Sequence, residues 1–206
     1  MRYKNMNKKE IPVYILATLF TIALFTQCNN KLPLNKDLTK KSYTLINQDG
    51  LEVKFPELIQ GHNTVIGFIY THCPDICPMT TNNMYLTEEK LKNDRMRDVK
   101  FVALSFDPDR DSPAVLKKFA EIRGISFDNW SLLTGNKKTV SDLLRRFDVK
   151  AFPTDSTLMD DGTWQYSMIH TDRISLIDKN GFLKKNYKGS TININELVED
   201  IKYLGD

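Results

Sequence analysis

The chain has 206 residues, of which 41% are hydrophobic and 27% are charged, and its formal net charge is +3. This length allows one compact domain and an appendage, and the composition is that of an ordinary globular protein. Four of the 29 basic and one of the 26 acidic residues lie within residues 1–27, so the remainder is balanced, with 25 of each. Nucleic acid is therefore not a predicted partner, because a phosphate-binding domain needs a basic surplus.

The N-terminus has the layout of an export signal. A basic stretch at residues 1–9 precedes an apolar run at residues 11–25, which is shorter than the roughly 20 apolar residues of a membrane span. Cys28 follows, as in a bacterial lipoprotein signal that ends in a lipidated cysteine, although Gln27 is larger than the residue such signals prefer. An uncleaved anchor and an incidental cysteine are the alternatives. We predict a signal peptide or membrane anchor at residues 1–27, with the domain tethered to a membrane on the periplasmic side of the cell envelope.

The next segment, residues 28–41, is polar and rich in lysine, and it is predicted to be a tether or linker to a domain at residues 42–206. That domain begins with a predicted hairpin, in which Tyr43–Ile46 and Leu51–Phe55 flank an Asn-Gln-Asp-Gly turn. The apolar run Thr64–Tyr70 then predicts a strand that is covered on both faces.

Two cysteines, Cys73 and Cys77, follow this strand directly, and a helix is predicted at about Ile76–Asn93. Pro74 is favoured at the first position of a helix, and a helix starting there would place both thiols on one face, about one turn apart. Two thiols so placed can bind a soft metal ion or close a disulfide. A disulfide that closes so small a loop adds little stability, so stapling the fold is a poor reason for the pair.

A second buried strand is predicted at Val99–Phe106, and the charged loop Asp107–Asp111 follows it. Ser112 and Pro113 then open a helix as N-cap and first helical residue. The apolar face predicted for that helix consists of Leu116, Phe119, Ala120 and Ile122.

The second half of the chain continues this alternation. A short strand is predicted at Trp130–Leu133, and an amphipathic helix follows, marked by Val140, Leu143, Leu144 and Phe147. Residues 148–166 lack a helical period and contain a proline, a glycine and four aspartates, which predicts an exposed insertion. The predicted closing elements are a hairpin, Ile174–Ile177 with Phe182–Tyr187, and the helix Ile194–Leu204.

Alternating strands and helices that end in a hairpin and a helix predict an α/β fold, with a central sheet flanked by helices. The order suits a thioredoxin-like domain with an N-terminal hairpin extension and an insertion before the last hairpin. A dithiol pair at the end of the first central strand lies where that fold places its active site.

A third ligand would distinguish metal binding from disulfide chemistry, since two thiolates alone serve either use. The chain has three histidines. His62 is predicted to be a solvated loop residue, and His72 is too close to Cys73 along the chain to share one ion with it easily. His170 lies where the insertion re-enters the sheet, a junction that faces the dithiol loop in a thioredoxin-like fold. It is therefore the candidate third ligand, with a structural role as the alternative.

Three segments together resemble the SCO/SenC family over about residues 40–205. They are Tyr-Thr-His-Cys-Pro-Asp-Ile-Cys-Pro after the first central strand, Asp-Pro-Asp-Arg-Asp-Ser-Pro after the second, and His-Thr before an apolar strand and Asp-Lys-Asn-Gly. Members are membrane-tethered, thioredoxin-like copper proteins that assist cytochrome c oxidase assembly, chiefly at its dinuclear copper site. The resemblance implies a metallochaperone that binds copper, as Cu(I) or Cu(II), through Cys73, Cys77 and His170. It also implies partners: the copper-site subunit of the oxidase, other copper carriers and thioredoxin-like reductants.

Two positions depart from the family pattern or need interpretation. Many members carry an acidic residue just before the histidine, and this chain has Ile169, which we expect to change the polarity around the ligand. Arg110 is expected to pair with an aspartate and clamp its own loop, with partner recognition as the alternative. Residues 152–165 also differ from the expected pattern.

Other functions stay open at this point. The chain could be a thiol-disulfide oxidoreductase that uses Cys73 and Cys77 as a redox pair to reduce the copper-ligand cysteines of the oxidase. Three residues separate the two cysteines, where thioredoxins have two, and the wider spacing favours a metal. A thiol peroxidase is disfavoured, because Thr71-His72-Cys73 is one residue short of the Thr-x-x-Cys pattern. A plain structural disulfide is the remaining alternative.

Overall fold

The computed structural model describes residues 31–160, 162 and 164–205, apart from the side chains of Asp155 and Trp164. The predicted signal or anchor, Cys28 and the first residues of the predicted linker lie outside the described residues. Within the described part of the chain, none of the helices is both long enough and apolar enough to cross a membrane.

An eight-stranded sheet forms the centre of the fold, and a separate two-stranded sheet lies beside it. The ten strands are β1 (Lys36–Asp37), β2 (Tyr43–Asn47), β3 (Glu52–Phe55), β4 (Asn63–Ile69), β5 (Val99–Ser105), β6 (Trp130–Thr134), β7 (Ala151–Leu158), β8 (Trp164–His170), β9 (Ile174–Ile177) and β10 (Phe182–Tyr187). The order in the large sheet is β1-β10-β9-β4-β5-β6-β2-β3. Strands β4, β5 and β6 are parallel to one another, and the other neighbours pair antiparallel.

Four α-helices of the described residues accompany the sheet, and this mixed α/β architecture is the predicted one. They are α1 (Ile76–Asn93), α2 (Pro113–Ile122), α3 (Lys137–Arg146) and α4 (Ile194–Leu204). Helix α2 begins as predicted, because the Ser112 side chain accepts a hydrogen bond from the Val115 amide and Pro113 follows it. The prediction for Ile122 was wrong, because this side chain is exposed. At about 100° per residue, Ile122 stands about 120° around the helix from the buried Leu116, at the edge of the apolar face.

Strand β4 is the centre of the core, and all seven of its residues are buried, as predicted. It pairs with β5 on one side and β9 on the other. Helix α1 packs closely against it at Gly67, where an added Cβ would lie 2.4 Å from the Met84 sulfur. The strand and the helix that flank the dithiol segment are therefore fixed by the hydrophobic core.

The predicted linker differs from the structure over its second half. Leu32 and Leu38 are buried, and strand β1 pairs with β10 at the edge of the large sheet. The two leucines explain the difference, because burying them attaches an otherwise polar segment to the domain. The domain thus includes the residues from Leu32 onward, whereas the prediction places its start at residue 42.

The predicted insertion is a β-hairpin. Strands β7 and β8 pair antiparallel, with Ala151 opposite His170 and Ser156 opposite Tyr166. Along β8 the side chains alternate, since Tyr166, Met168 and His170 are half-buried, while those between them are exposed. A strand with period two was not predicted here, because its outer face mixes polar residues with Ile169 and so gives no clear alternation in the sequence.

Candidate metal centre

The two cysteines lie in the turn between β4 and α1. Helix α1 begins at Ile76, two residues later than a start at Pro74, so Cys73 precedes the helix and Cys77 stands in its first turn. The Cys77 amide donates a hydrogen bond to the Cys73 sulfur at 3.4 Å. The Tyr70 amide donates to the Cys77 sulfur at 3.5 Å. The turn therefore holds the two sulfur atoms close together even though they do not share a helical face.

His170 ends strand β8, and its side chain reaches the sulfur pair. Its Nε2 atom lies 3.9 Å from the Cys77 sulfur. The imidazole packs against two aromatic rings, with centroid distances of 4.8 Å to Phe106 and 5.9 Å to Tyr70. The ligand atoms of Cys73, Cys77 and His170 all lie within 4.8 Å of one another. The fold thus brings together the three residues that the sequence singled out.

The two thiols have different surroundings. Cys77 is fully buried, and Cys73 is partly exposed. Burial raises the pKa of the Cys77 thiol, although the hydrogen bond from the Tyr70 amide opposes this shift. A cation bound between the sulfurs would favour the thiolate forms, so binding it releases protons.

This set of donor atoms fits a soft metal ion. Zinc, for comparison, takes sulfur at about 2.3 Å and imidazole nitrogen at about 2.0–2.1 Å, which requires ligand atoms roughly 3.5–4 Å apart. The observed spacing needs only small side-chain movements to reach that geometry. Two thiolates and one imidazole, with no carboxylate in the group, suit copper or zinc rather than magnesium or calcium.

The loop after β5 is clamped as the sequence predicted. The Arg110 Nε atom donates to the Asp107 carboxylate at 2.5 Å. The sequence did not indicate the third member of this group, which is Tyr166 of β8. Its hydroxyl donates to the other Asp107 oxygen at 2.6 Å, and Arg110 Nη1 donates to its backbone carbonyl at 2.9 Å. Asp107, Arg110 and Tyr166 therefore join the loop to the strand that carries His170, and we call these three residues the clamp.

Asp111 holds the start of the turn that carries the two cysteines. The sequence did not indicate this role. Its buried carboxylate accepts hydrogen bonds from the Thr71 amide at 3.1 Å, the Thr71 hydroxyl at 2.5 Å and the Ser105 hydroxyl at 2.6 Å. Burial raises the pKa of Asp111, and these three donors oppose the shift. Asp107 and Asp111 both belong to the motif Asp-Pro-Asp-Arg-Asp, but nothing in the sequence distinguishes the role of one from that of the other.

The other two histidines stand outside the ligand group. His62 pairs with Asp98 at 2.6 Å and is partly exposed, in keeping with a loop residue. His72 is mostly exposed and hydrogen-bonds the Thr71 hydroxyl at 3.1 Å. Ile169 is 56% exposed and lies on the face of β8 opposite to His170. This position does not support the expectation that Ile169 changes the polarity around the ligand.

A cleft of about 1120 Å³ opens beside the metal centre. It runs between the loop after β5, helix α3 and the β7–β8 hairpin, and its lining includes His72, Phe106, Arg110, Val140, Tyr166 and Met168. The clamp therefore forms part of a wall of this cleft.

Comparison with known families and proteins gives a consistent result. Residues 32–205 match the sequence model of the SCO1/SenC family. A Bacillus subtilis protein described as an SCO1 protein homolog is 32% identical over 173 residues, which are 84% of this chain and 84% of the relative.

Solved structures share the fold. A SCO1/SenC family lipoprotein from Bacillus anthracis has a TM-score of 0.71 and 31% identity, covering 84% of this chain and 98% of that one. Bradyrhizobium japonicum ScoI with copper bound has a TM-score of 0.66 and 26% identity, covering 80% and 98%. BsSco, described as having a disulfide switch and belonging to the Sco family of cytochrome c oxidase assembly proteins, has a TM-score of 0.67 and 30% identity, covering 84% and 95%. The fold is the thioredoxin-like fold of these proteins.

Proposed function

The chain belongs to the SCO1/SenC family, and from this membership we propose that it binds copper and delivers it to the dinuclear copper site of cytochrome c oxidase. The observation that carries the proposal is the Cys73, Cys77 and His170 group, whose ligand atoms lie within 4.8 Å of one another. Copper bound to ScoI of Bradyrhizobium japonicum, and the oxidase-assembly family of BsSco, support the same assignment.

In this proposal copper is the cargo, and the protein is a carrier rather than a turnover enzyme. The two sulfurs supply a site for Cu(I), and the imidazole adds the ligand that Cu(II) prefers. Delivery proceeds by ligand exchange, in which each thiolate of the acceptor forms a bond to the ion as one ligand of the carrier leaves it. No net oxidation or reduction is needed. The partly exposed Cys73 is accessible for such an exchange.

A second candidate function is thiol-disulfide exchange with the oxidase's copper-ligand cysteines. The specific observation is that both thiols are free and lie within 4.8 Å of each other, next to a helix start. Oxidation of Cys73 and Cys77 to a disulfide would release two electrons and two protons, and these would reduce one disulfide of the partner to two thiols. The disulfide switch described for BsSco favours retaining this candidate.

We also propose that Cys28 is lipidated and tethers the domain to a membrane on the periplasmic side of the envelope. The support is the order of a basic stretch, an apolar run and a cysteine at the N-terminus, together with the relative from Bacillus anthracis that is described as a lipoprotein. Metabolic labelling with a fatty-acid analogue, compared between the natural chain and Cys28→Ser, tests this proposal. Equal labelling of both chains would contradict it.

Two variants of the reduced full-length chain test copper binding and separate the two functions. His170→Ala should lose Cu(II) binding at least about tenfold while keeping most thiol-exchange activity. Cys73→Ser with Cys77→Ser should lose binding of both copper oxidation states and all exchange. His62→Ala is the matched control, because it removes an imidazole outside the group. Copper loading that survives in the double cysteine variant would refute the copper proposal.

Delivery itself needs an acceptor. Copper-loaded chain is mixed with the purified, reduced, copper-free domain that holds the dinuclear site of the oxidase, and the visible absorption of the copper-filled site is followed. We expect transfer from the natural chain that exceeds transfer from free copper in the presence of a competing chelator. If the acceptor takes up copper only from free ions and not from the loaded chain, the chain would still be a copper-binding protein, but the proposed delivery role would be refuted.

A further inference from the structure

The third ligand sits on an element that is separate from the main sheet. Strands β7 and β8 form their own two-stranded sheet, with His170 at the end of β8. At its base, the Thr171 amide donates to the Lys150 carbonyl at 2.8 Å, and the Lys150 amide donates to the Thr171 hydroxyl at 3.0 Å. These bonds join the two ends of the hairpin to each other. They leave the angle between the hairpin and the domain to be fixed by other contacts.

The inner face of β8 supplies those contacts at three alternate positions, residues 166, 168 and 170. His170 meets Cys77, Met168 packs against the hydrophobic core, and Tyr166 meets the loop after β5. Because alternate residues of a strand point to the same side, a movement of Tyr166 away from the loop would carry His170 with it. The position of the imidazole is thus coupled to a contact four residues away.

The contact at Tyr166 is the most elaborate of the three. Its hydroxyl donates to Asp107, its carbonyl accepts from Arg110, and the guanidinium carbon of Arg110 lies 3.6 Å from the centre of its ring. Burial and the Asp107 carboxylate raise the pKa of Tyr166 to about 12, so the phenol keeps its proton at neutral pH. A hydrogen bond to a charged, buried acceptor is worth more than one between neutral groups.

We propose that Tyr166 is a positioning residue for His170: by holding β8 against Asp107 and Arg110, it keeps the imidazole within reach of the two sulfurs. The inference rests on the proposed copper function. Loss of the Tyr166 contact should therefore weaken the binding of Cu(II) more than the binding of Cu(I). Cu(I) is satisfied by the two thiolates, which the core holds, whereas Cu(II) relies on the imidazole, which the clamp holds.

The test uses Tyr166→Phe in the reduced full-length chain, because this substitution removes the hydroxyl and keeps the ring that covers Arg110. We expect the Cu(II) dissociation constant to rise by about five- to tenfold, the scale of one ordinary net hydrogen bond. The sulfur-to-Cu(II) absorption and the nitrogen hyperfine splitting in the electron paramagnetic resonance spectrum should weaken. The Cu(I) dissociation constant, measured against a chromophoric chelator, should stay within about twofold.

Thr154→Val is the matched control. It removes a hydrogen bond within the same hairpin, from the Thr154 hydroxyl to the Ser167 carbonyl at 3.1 Å, and leaves the clamp in place. Asp107→Asn provides a second route to the same contact, and the pair Tyr166→Phe with Asp107→Asn forms a double-mutant cycle. A coupled loss of Cu(II) affinity in that cycle, with a normal spectrum for the control, supports the proposal.

The outcomes separate the two proposals. A Tyr166→Phe chain with unchanged Cu(II) affinity and spectrum would overturn the positioning role. So would equal losses of Cu(I) and Cu(II) affinity, or a loss matched by Thr154→Val, because these indicate general destabilisation. A natural chain that binds no copper in either oxidation state would overturn the proposed function instead.

Discussion

The sulfur pair and the imidazole belong to two regions of very different construction. Cys77 lies in the first turn of α1, which packs on the fully buried strand β4, and its side chain is itself part of the core. His170 lies on a two-stranded sheet whose described side chains are half-buried at best, attached to the domain through polar and aromatic contacts and through the partly buried Ala151 and Met168. The comparison teaches that hydrophobic burial fixes one half of the metal centre, whereas a few specific contacts fix the other.

The largest expected difference between the regions is in stability. Phe68→Ala in β4 should lower the free energy of unfolding by about 3–5 kcal/mol, because its buried ring packs 5.0 Å from that of Phe147. The same change at Phe152 of β7, which is 49% exposed, should cost less than about 1 kcal/mol. Urea unfolding of the copper-free, reduced chain measures both. Equal losses would show that the hairpin is as much a part of the core as β4.

A smaller effect is expected at the buried acceptor beneath the dithiol turn. Asp111→Asn replaces one carboxylate oxygen by an amide that faces hydrogen-bond donors, and we expect a loss of about 1–3 kcal/mol in unfolding free energy. Cu(I) affinity should fall as well, because the Thr71 turn leads directly into Cys73. Asp109→Asn is the control, since Asp109 makes an exposed ion pair with Lys137 that is worth about 0–1 kcal/mol. If Asp111→Asn lowers the affinity for Cu(II) but not for Cu(I), Asp111 would act on the position of His170 rather than on the two sulfur atoms.

Alkaline pH should act on the hairpin side through Tyr166, whose pKa is raised to about 12 in the folded protein. The unfolded chain then loses this proton first, near pH 10, so the contribution to stability is full below pH 10 and is lost as the pH rises toward 12. Tyr166→Phe should show a shallower loss of stability over this range than the natural chain. Thr154→Val, which removes no ionisable group, should keep the natural slope. Parallel curves for the natural chain and Tyr166→Phe would contradict the assignment.

The smallest effect is expected on the outer face of the hairpin. Ile169→Asp restores the acidic residue that many family members carry before the histidine, but the side chain points away from His170. We expect Cu(II) and Cu(I) dissociation constants within about twofold of those of the natural chain, in line with a surface substitution. A larger change in Cu(II) binding would mean that residue 169 reaches the metal centre from outside.

The same contrast explains what could be predicted from the sequence. The bounds predicted for helix α1 agree with the structure and those for strand β4 differ by one residue at each end, because a long apolar run and a continuous helical stretch leave few alternatives. The dithiol turn followed from its place between them. For the hairpin the sequence predicts only an exposed insertion, because cross-strand pairing and the clamp hold it rather than alternating hydrophobic residues. Tyr166 could not be singled out, since its partners lie 56 and 59 residues away along the chain.

In the delivery that we propose, the unequal exposure of the two thiols would impose an order on the transfer of copper. An incoming thiolate can reach Cys73 from solvent, whereas Cys77 has no surface to offer and is hydrogen-bonded from inside by the Tyr70 amide. The bond to Cys73 is therefore the first to be exchanged, and the bond to Cys77 is the last to break. Under the proposed function, the ion would stay bonded to Cys77 until a thiolate of the recipient has bound it, so that the transfer would not require free copper.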